Sequence, residues 1–426
     1  MAGVLDGIRV LEFSQIVAAP VAGVNLSDFG ADVIKVEPPG GEQTRNTGAV
    51  VPHEGKGFQA LNRGKRSLVV DLHDPRGQEM IHRLIPQTDV VLINYRFGVA
   101  NRMGIDYDTL RAIRPDLIYW QNTGFGEQGP EAYRAGSDVV AQAYSGLMVN
   151  DAKTDEDGAP DLISIPIADI ASGFAAAMGV GMALFHREKT GEGQYLSTSL
   201  LRTSLFLQAG LVMREPVTDS VLRDQMLAEI DESLSAGNSY DSLLAIRKRR
   251  GGLRVAFRLY YGGYRAKDGA VVLGALTKTN RDKMREVIGF PEEDSDQPGY
   301  DSMDPANIER AHEWKRRFRA RFLERTVAEW VSDFDAAGVP VSAVRNPEVL
   351  SEDPQVKADG MMWDLEHSVT GPQSVVGPAV QMSATPTRVQ RAAPALGEHT
   401  LEILAEAGVS PAELAALTEC GVLVAR

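Results

Sequence analysis

The chain has 426 residues, 43% of them hydrophobic and 24% charged, with a formal net charge of -14. That composition belongs to a globular protein large enough for two or three domains, and the acidic balance argues against general nucleic-acid binding. The single cysteine, Cys420, leaves no intrachain disulfide framework, and the segment MAGVLDGIRV lacks the basic and apolar regions of a secretory signal, so a cytoplasmic protein is expected.

The first 200 residues alternate short apolar strands with helices. Residues 8–13 read as a strand, 18–29 as a helix stopped by Gly30, and 33–37 as a second strand. Residues 67–71, 89–94 and 117–122 repeat the strand signal, with helices starting near Pro75 and Asp106. Such alternation predicts βαβ units around a parallel sheet covered on both faces, an α/β fold.

Residues 163–168 read as a buried strand that hands over to a helix rich in Ala and Gly. Lys189 and Gly191 supply a helix stop before a further strand at 194–199. From Glu215 to about Gly252 the chain is charged and helical, ending in RKRRGG, and reads as a linker. Strand signals follow at 254–261 and 270–276, then an acidic loop (291–305) and a long amphipathic helix from about 307 to 337. The expected division is a large domain begun by 1–214, a linker and smaller α/β domain over 215–339, and a return segment over 340–426.

Between Leu162 and Phe185 the only charge is Asp169. An ionised carboxylate in so apolar a stretch loses hydration unless something nearby stabilises it. Asp is a favoured N-cap, and a helix cap explains the position. A helix N-terminus also favours an anion, so the same placement suits a desolvated carboxylate nucleophile. Residues 170–185 are too few, and too rich in Gly, for a membrane span.

Positive charge is the other signal. Arg63, Lys65 and Arg66 cluster in an acidic chain, and Arg96 and Arg102 follow a strand end. Open α/β sheets bind ligands at the carboxyl ends of their strands, and arginine suits phosphate because its planar fork donates bidentately. Solvated surface charge explains the same residues. Other chemistries lack an anchor. No GxGxxG follows the first strand, and Gly191-Glu192-Gly193 reads as a helix stop and turn. The seven histidines show no metal-ligand spacing, and no GxSxG elbow is present.

Several ordered segments resemble the family III CoA-transferases, the group containing formyl-CoA and carnitine CoA-transferases. They are LDGIRVLEFSQIVAAP (5–20), DFGADVIKVEPPGGEQTR (28–45), NRGKRSLVVDLHDPRGQE (62–79), NYRFGVANRMGIDYDTL (94–110), the stretch around Asp169, and APALGEHTLEILAEAGVSPAELAALTECGVL (393–423). The resemblance implies a Rossmann-like large domain, a smaller domain and two protomers threaded like linked rings. It implies CoA transfer from a donor acyl-CoA to a carboxylic acid, with Asp169 as nucleophile and CoA as substrate, and with no metal or redox cofactor.

The resemblance also implies CoA contacts from Asn94, Tyr95, Arg96 and Arg102, from Asp71 and Leu72, and from Val17 and Ala18 beside the thioester. Val17 replaces a glutamine and Pro38 an arginine of formyl-CoA transferase, which weakens oxalate as acceptor. Gln15 is a possible substitute for that glutamine. A glycine-rich loop covers the intermediate in the family; Gly251-Gly252 and Gly262-Gly263 are its candidates here, with hairpin turns as the alternative. The related 2-methylacyl-CoA racemases pair the aspartate with a histidine in an AGHD-like string. Here the string is Ala135-Gly136-Ser137-Asp138, and serine cannot serve as that base. A non-catalytic CoA-binding protein is the third reading.

Overall fold

The computed structural model describes residues 2–250, 254–302 and 304–426. Gly251-Gly252 lie outside them. The chain forms two compact units, Met1–Met213 with Ser351–Arg426, and Arg214–Leu350.

The first unit is built on a seven-stranded sheet. Its strands are β1 (Arg9–Phe13), β2 (Asp32–Glu37), β3 (Arg66–Val70), β4 (Val90–Ile93), β5 (Ile118–Thr123) and β6 (Tyr195–Ser199), closed at one edge by Leu423–Val424. The order is the C-terminal strand, then β3-β2-β1-β4-β5-β6, all parallel except the C-terminal strand, which runs antiparallel to β3. The strand order reverses between β1 and β4, and such a switch point opens a crevice at the carboxyl ends of the strands.

Residues of opposite parity along each strand feed two cores, as the period-2 geometry requires. Leu11, Phe13, Ile34, Val36, Val91 and Ile93 face the helices Pro75–Leu84, Thr400–Glu406 and Pro411–Glu419. Val10, Val33, Val90, Leu92 and Trp120 face the helices Ala18–Asp28 and Ile167–Thr190. Those two helices meet at Gly173, where a Cβ would lie 2.5 Å from that of Val21, so only glycine permits the approach. The helix Ile167–Thr190 is long and apolar enough by composition to cross a bilayer, yet its inner side packs on the helix Ala18–Asp28, β5 and β6. It ends at Gly191, whose φ of 74° is the left-handed conformation that closes a helix.

The second unit holds the helices Pro216–Val221, Arg223–Ser235 and Tyr240–Arg250. It also holds an antiparallel sheet of β7 (Tyr261–Arg265), β8 (Ala270–Gly274) and β9 (Val341–Ala343), with β8 central. Its core is aromatic, with Tyr264, Phe318, Phe322, Trp330 and Phe334 in contact. Beyond it, β10 (Met362–His367) and β11 (Gly371–Val376) form a hairpin in the first unit.

Four local expectations are corrected. Residues 163–168 are not a strand: β6 occupies the place beside β5, residues 163–166 run as a loop with Ile165 exposed, and Ile167 and Ala168 already belong to the helix Ile167–Thr190. Residues 254–260 are helical rather than extended, because packing against the helix Pro305–Phe322 overrides the strand propensity of the segment. The long helix is two helices, Pro305–Phe322 and Val327–Ala337, the second started by a capping box of Thr326 and Glu329. Gly262 and Gly263 lie inside β7, paired with Leu273 and Val272, so they form neither a covering loop nor a turn.

Candidate active site

A cavity of about 660 Å³ opens at the carboxyl ends of β1 to β5 in the first unit, a size typical of small-molecule sites. Asp169 lies on its wall, 9% exposed. It is the third residue of its helix, not the N-cap; Pro166 holds that position and has no side-chain cap to offer. The cap comes from elsewhere. Oδ1 of Asp138 accepts the amide N–H of Ala168 at 2.8 Å and that of Asp169 at 3.1 Å. Gln142, one turn on, donates to Asp138 Oδ2 and accepts the Ile163 amide at 3.0 Å. One short helix, Asp138–Ser145, thereby fixes the approach to Asp169.

The carboxylate of Asp169 itself accepts no hydrogen bond from the described residues. Burial, and then the Asp138 charge, push its pKa up to about 7. The helix N-terminus does not favour this anion as expected: the amides of Ala168 and Asp169 are committed to Asp138, and that carboxylate repels it.

The loop leading to Asp138 is held by a backbone crossing. A Cβ on Gly124, just past β5, would lie 2.8 Å from Gly136 Cα, and one on Gly136 would lie 2.5 Å from Gly124 Cα. The glycine of the Ala135–Asp138 string is therefore a packing requirement, and Ser137 lines the cavity beside it.

Across the switch point, the segment after β1 is clamped to β4. Asn94 Oδ1 accepts the Gln15 amide at 2.9 Å, and Asn94 Nδ2 donates to the Gln15 carbonyl at 2.7 Å. Ile16 follows with φ 68°, an unfavourable conformation for a β-branched residue. Its amide donates to Glu42 Oε2 at 2.8 Å. Glu42 is backed by buried Lys35, Glu12 and Lys65, so the strained residue sits on a rigid base.

Leu72, Asn94, Tyr95 and Arg96 line the cavity, as do Gln15 and Pro38. The side-chain amide of Asn94 is bonded through both its oxygen and its nitrogen to the Gln15 backbone. Arg96 is exposed and makes no ion pair with the described residues. Ala18 is fully buried and Val17 precedes its helix, neither on the cavity wall. Asp71 bonds the His73 amide at 2.9 Å, and Arg102 is exposed at the end of Val99–Arg102; both lie outside the lining.

Arg63, Lys65 and Arg66 are neither solvated nor free for phosphate. They are buried in ion pairs with Asp28, Glu12 and Asp32 respectively. Sequence reading missed Asp138 and Gln142 as the anchor of Asp169, although their i, i+4 spacing places them on one helix face. It also missed Arg134, which lines the cavity.

A Rossmann-ordered sheet with a cavity at the carboxyl ends of its strands, lined by a buried carboxylate and by an arginine that makes no ion pair with the described residues, defines an α/β protein with a candidate small-molecule site. Residues 5–400 match the model of CoA-transferase family III. The succinyl-CoA:glutarate CoA-transferase of Homo sapiens is 32% identical over 407 residues, 94% of this chain and 85% of that protein. The succinyl-CoA:mesaconate CoA-transferase of Haloarcula hispanica is 30% identical over 425 residues, 96% of this chain and 97% of its own. The crystal structure of a CAIB/BAIF family protein from Brucella suis superposes with a TM-score of 0.72 at 29% identity, covering 96% of this chain and all of that one. The chain belongs to CoA-transferase family III, and it is a CoA-transferase.

Proposed function

We propose that the protein transfers CoA between an acyl-CoA and a carboxylic acid through covalent intermediates on Asp169. The observation that carries the reading is the Asp169 carboxylate, buried on the cavity wall, with no hydrogen-bond partner among the described residues and its backbone pinned by Asp138. An oxygen of the ionised carboxylate attacks the donor thioester carbonyl, and the C–S bond breaks to give an aspartyl–acyl anhydride and CoA thiolate. The thiolate attacks the aspartyl carbonyl, releasing the donor acid as its carboxylate and leaving an aspartyl-CoA thioester. The acceptor carboxylate attacks that thioester and expels the thiolate, forming a second anhydride. The thiolate then takes the new acyl group and Asp169 is regenerated. Each step exchanges one activated acyl bond for another, so the sequence consumes no external energy source.

The named substrates of the relatives support small dicarboxylic acids, with succinyl-CoA as donor. Arg96, exposed on the cavity wall just past β4, supports a role in binding a CoA phosphate. The first turn of the Asp169 helix cannot hold the developing oxyanion, because the amides of Ile167, Ala168 and Asp169 are already bonded. We also propose a homodimer: Phe174, Met178, Met182 and Phe185 form an exposed apolar stripe on the helix Ile167–Thr190, which a second copy would cover.

The test is a mass-spectrometric screen of acetyl-CoA and succinyl-CoA against mono- and dicarboxylic acids, with light scattering for the dimer. Transfer from succinyl-CoA to a C4 or C5 diacid is the expected result. Hydrolysis alone, or no turnover with any pair, would remove the transferase reading.

A further inference from the structure

Three acids line the cavity, Glu37, Asp138 and Asp169, and Glu37 is neutralised by its buried ion pair with Arg45, which leaves two carboxylates against the guanidinium groups of Arg96 and Arg134. A substrate with a second carboxylate meets repulsion there unless a cation faces it. Arg96 belongs to the strand-end segment with Tyr95. Arg134 stands elsewhere, on the loop that runs through Gly136 to Asp138, the residue bonded to the Asp169 amide.

Arg134 is held without being used up. Its guanidinium lies 5.3 Å from the centre of the Phe125 ring and 5.8 Å from that of Tyr144, and those rings pack edge-on at 5.0 Å. The two rings give the guanidinium an aromatic surface to rest on, and its N–H groups other than the one bonded to Glu131 have no hydrogen-bond partner among the described residues. Among the described residues its one carboxylate partner is Glu131 at 3.0 Å, three residues away; the Arg134 side chain is 51% exposed and that of Glu131 34%. Such a pair is weak and exchangeable.

We infer that Arg134 is the specificity residue for dicarboxylates, binding the distal carboxylate of the acyl group or acceptor acid while the proximal one reacts at Asp169. Glu131 is the resting partner that the substrate displaces. The inference rests on the transferase reading and names the substrate class for the same site.

Two matched pairs test it. Succinyl-CoA and butyryl-CoA differ in one terminal carboxylate, and their binding is measured calorimetrically without turnover. Glutarate and valerate serve as acceptors in steady-state kinetics. Arg134→Gln should weaken succinyl-CoA, and raise KM for glutarate, by about 10- to 100-fold, with butyryl-CoA and valerate changed less than about twofold. Arg134→Lys should recover part of the loss, and Glu131→Gln should lower KM for glutarate by removing the competitor. Equal losses for the charged and uncharged members of each pair would overturn the assignment. If the wild type binds both thioesters but transfers CoA to no acid, the transferase reading falls, and the thioester pair still decides Arg134.

Discussion

Asp138 holds Asp169 by its backbone and opposes it by its charge. The same carboxylate accepts the Asp169 amide at 3.1 Å and, after burial, is the cause that raises the Asp169 pKa to about 7. Only the ionised Asp169 can attack a thioester, so kcat/KM should rise with pH through about 7 and level off above it. Asp138→Asn keeps a carbonyl acceptor for the amides but removes the charge, and should move that acid limb to lower pH. A limb that stays in place in the variant would assign it to another group.

Asp169→Asn should fold and bind CoA but keep less than about a hundredth of wild-type kcat, the loss expected for a covalent nucleophile. Wild-type enzyme incubated with an active acyl-CoA and hydroxylamine should inactivate, since an aspartyl thioester is electrophilic and a free carboxylate is not. Peptide mapping should find the hydroxamate on Asp169, and the Asn variant should be immune. A label on a different carboxylate would move the nucleophile there.

Stability carries the opposite sign. The folded pKa of Asp169, about 7, lies above the ordinary 3.8, so the folded state holds a proton that the unfolded chain has released. The stabilisation this provides is complete below about pH 4 and is lost as pH rises through 7. Asp169→Asn does not titrate. Its stability relative to wild type should therefore grow between pH 4 and 8, by about 2–4 kcal/mol. Urea denaturation at the two ends of that range measures it.

Arg96→Ala should weaken CoA binding by about 1.5–3 kcal/mol, the effect of losing a charge-assisted contact. Repeating the titration with dephospho-CoA shows whether the 3′-phosphate is the partner: if it is, wild type and variant should bind dephospho-CoA alike.

The enzyme should not exchange the α-proton of 2-methylacyl-CoA. Ser137 lines the cavity where a racemase presents histidine, and a serine hydroxyl is too weak a base at neutral pH. Deuterium uptake from heavy water at about 1 per second or faster would be enzymatic and would contradict this.

The order of elements in the first unit was legible because each strand is a short apolar run between good helix stops. Ile8–Phe13, Asp89–Asn94 and their neighbours could only be buried strands of a parallel sheet. Asp169 was legible because a lone charge in twenty-four residues has few structural explanations. The segment 163–168 misled because its apolar run satisfies strand propensity, while the place beside β5 went to β6, a choice made by pairing partners remote in sequence.

Charge was where local reading failed most. Arg63, Lys65 and Arg66 look in sequence like the phosphate-ready arginines, but each is buried and meets a carboxylate brought from another strand or helix. Whether a charged group is paired depends on which distant chain segments lie beside it, and its own neighbours in sequence carry no record of that. The sequence alone therefore determined the family, the sheet and the aspartate proposed as nucleophile. The tertiary structure decided which charges remain free, that Asp138 caps and opposes Asp169, and that Arg134 faces the same cavity.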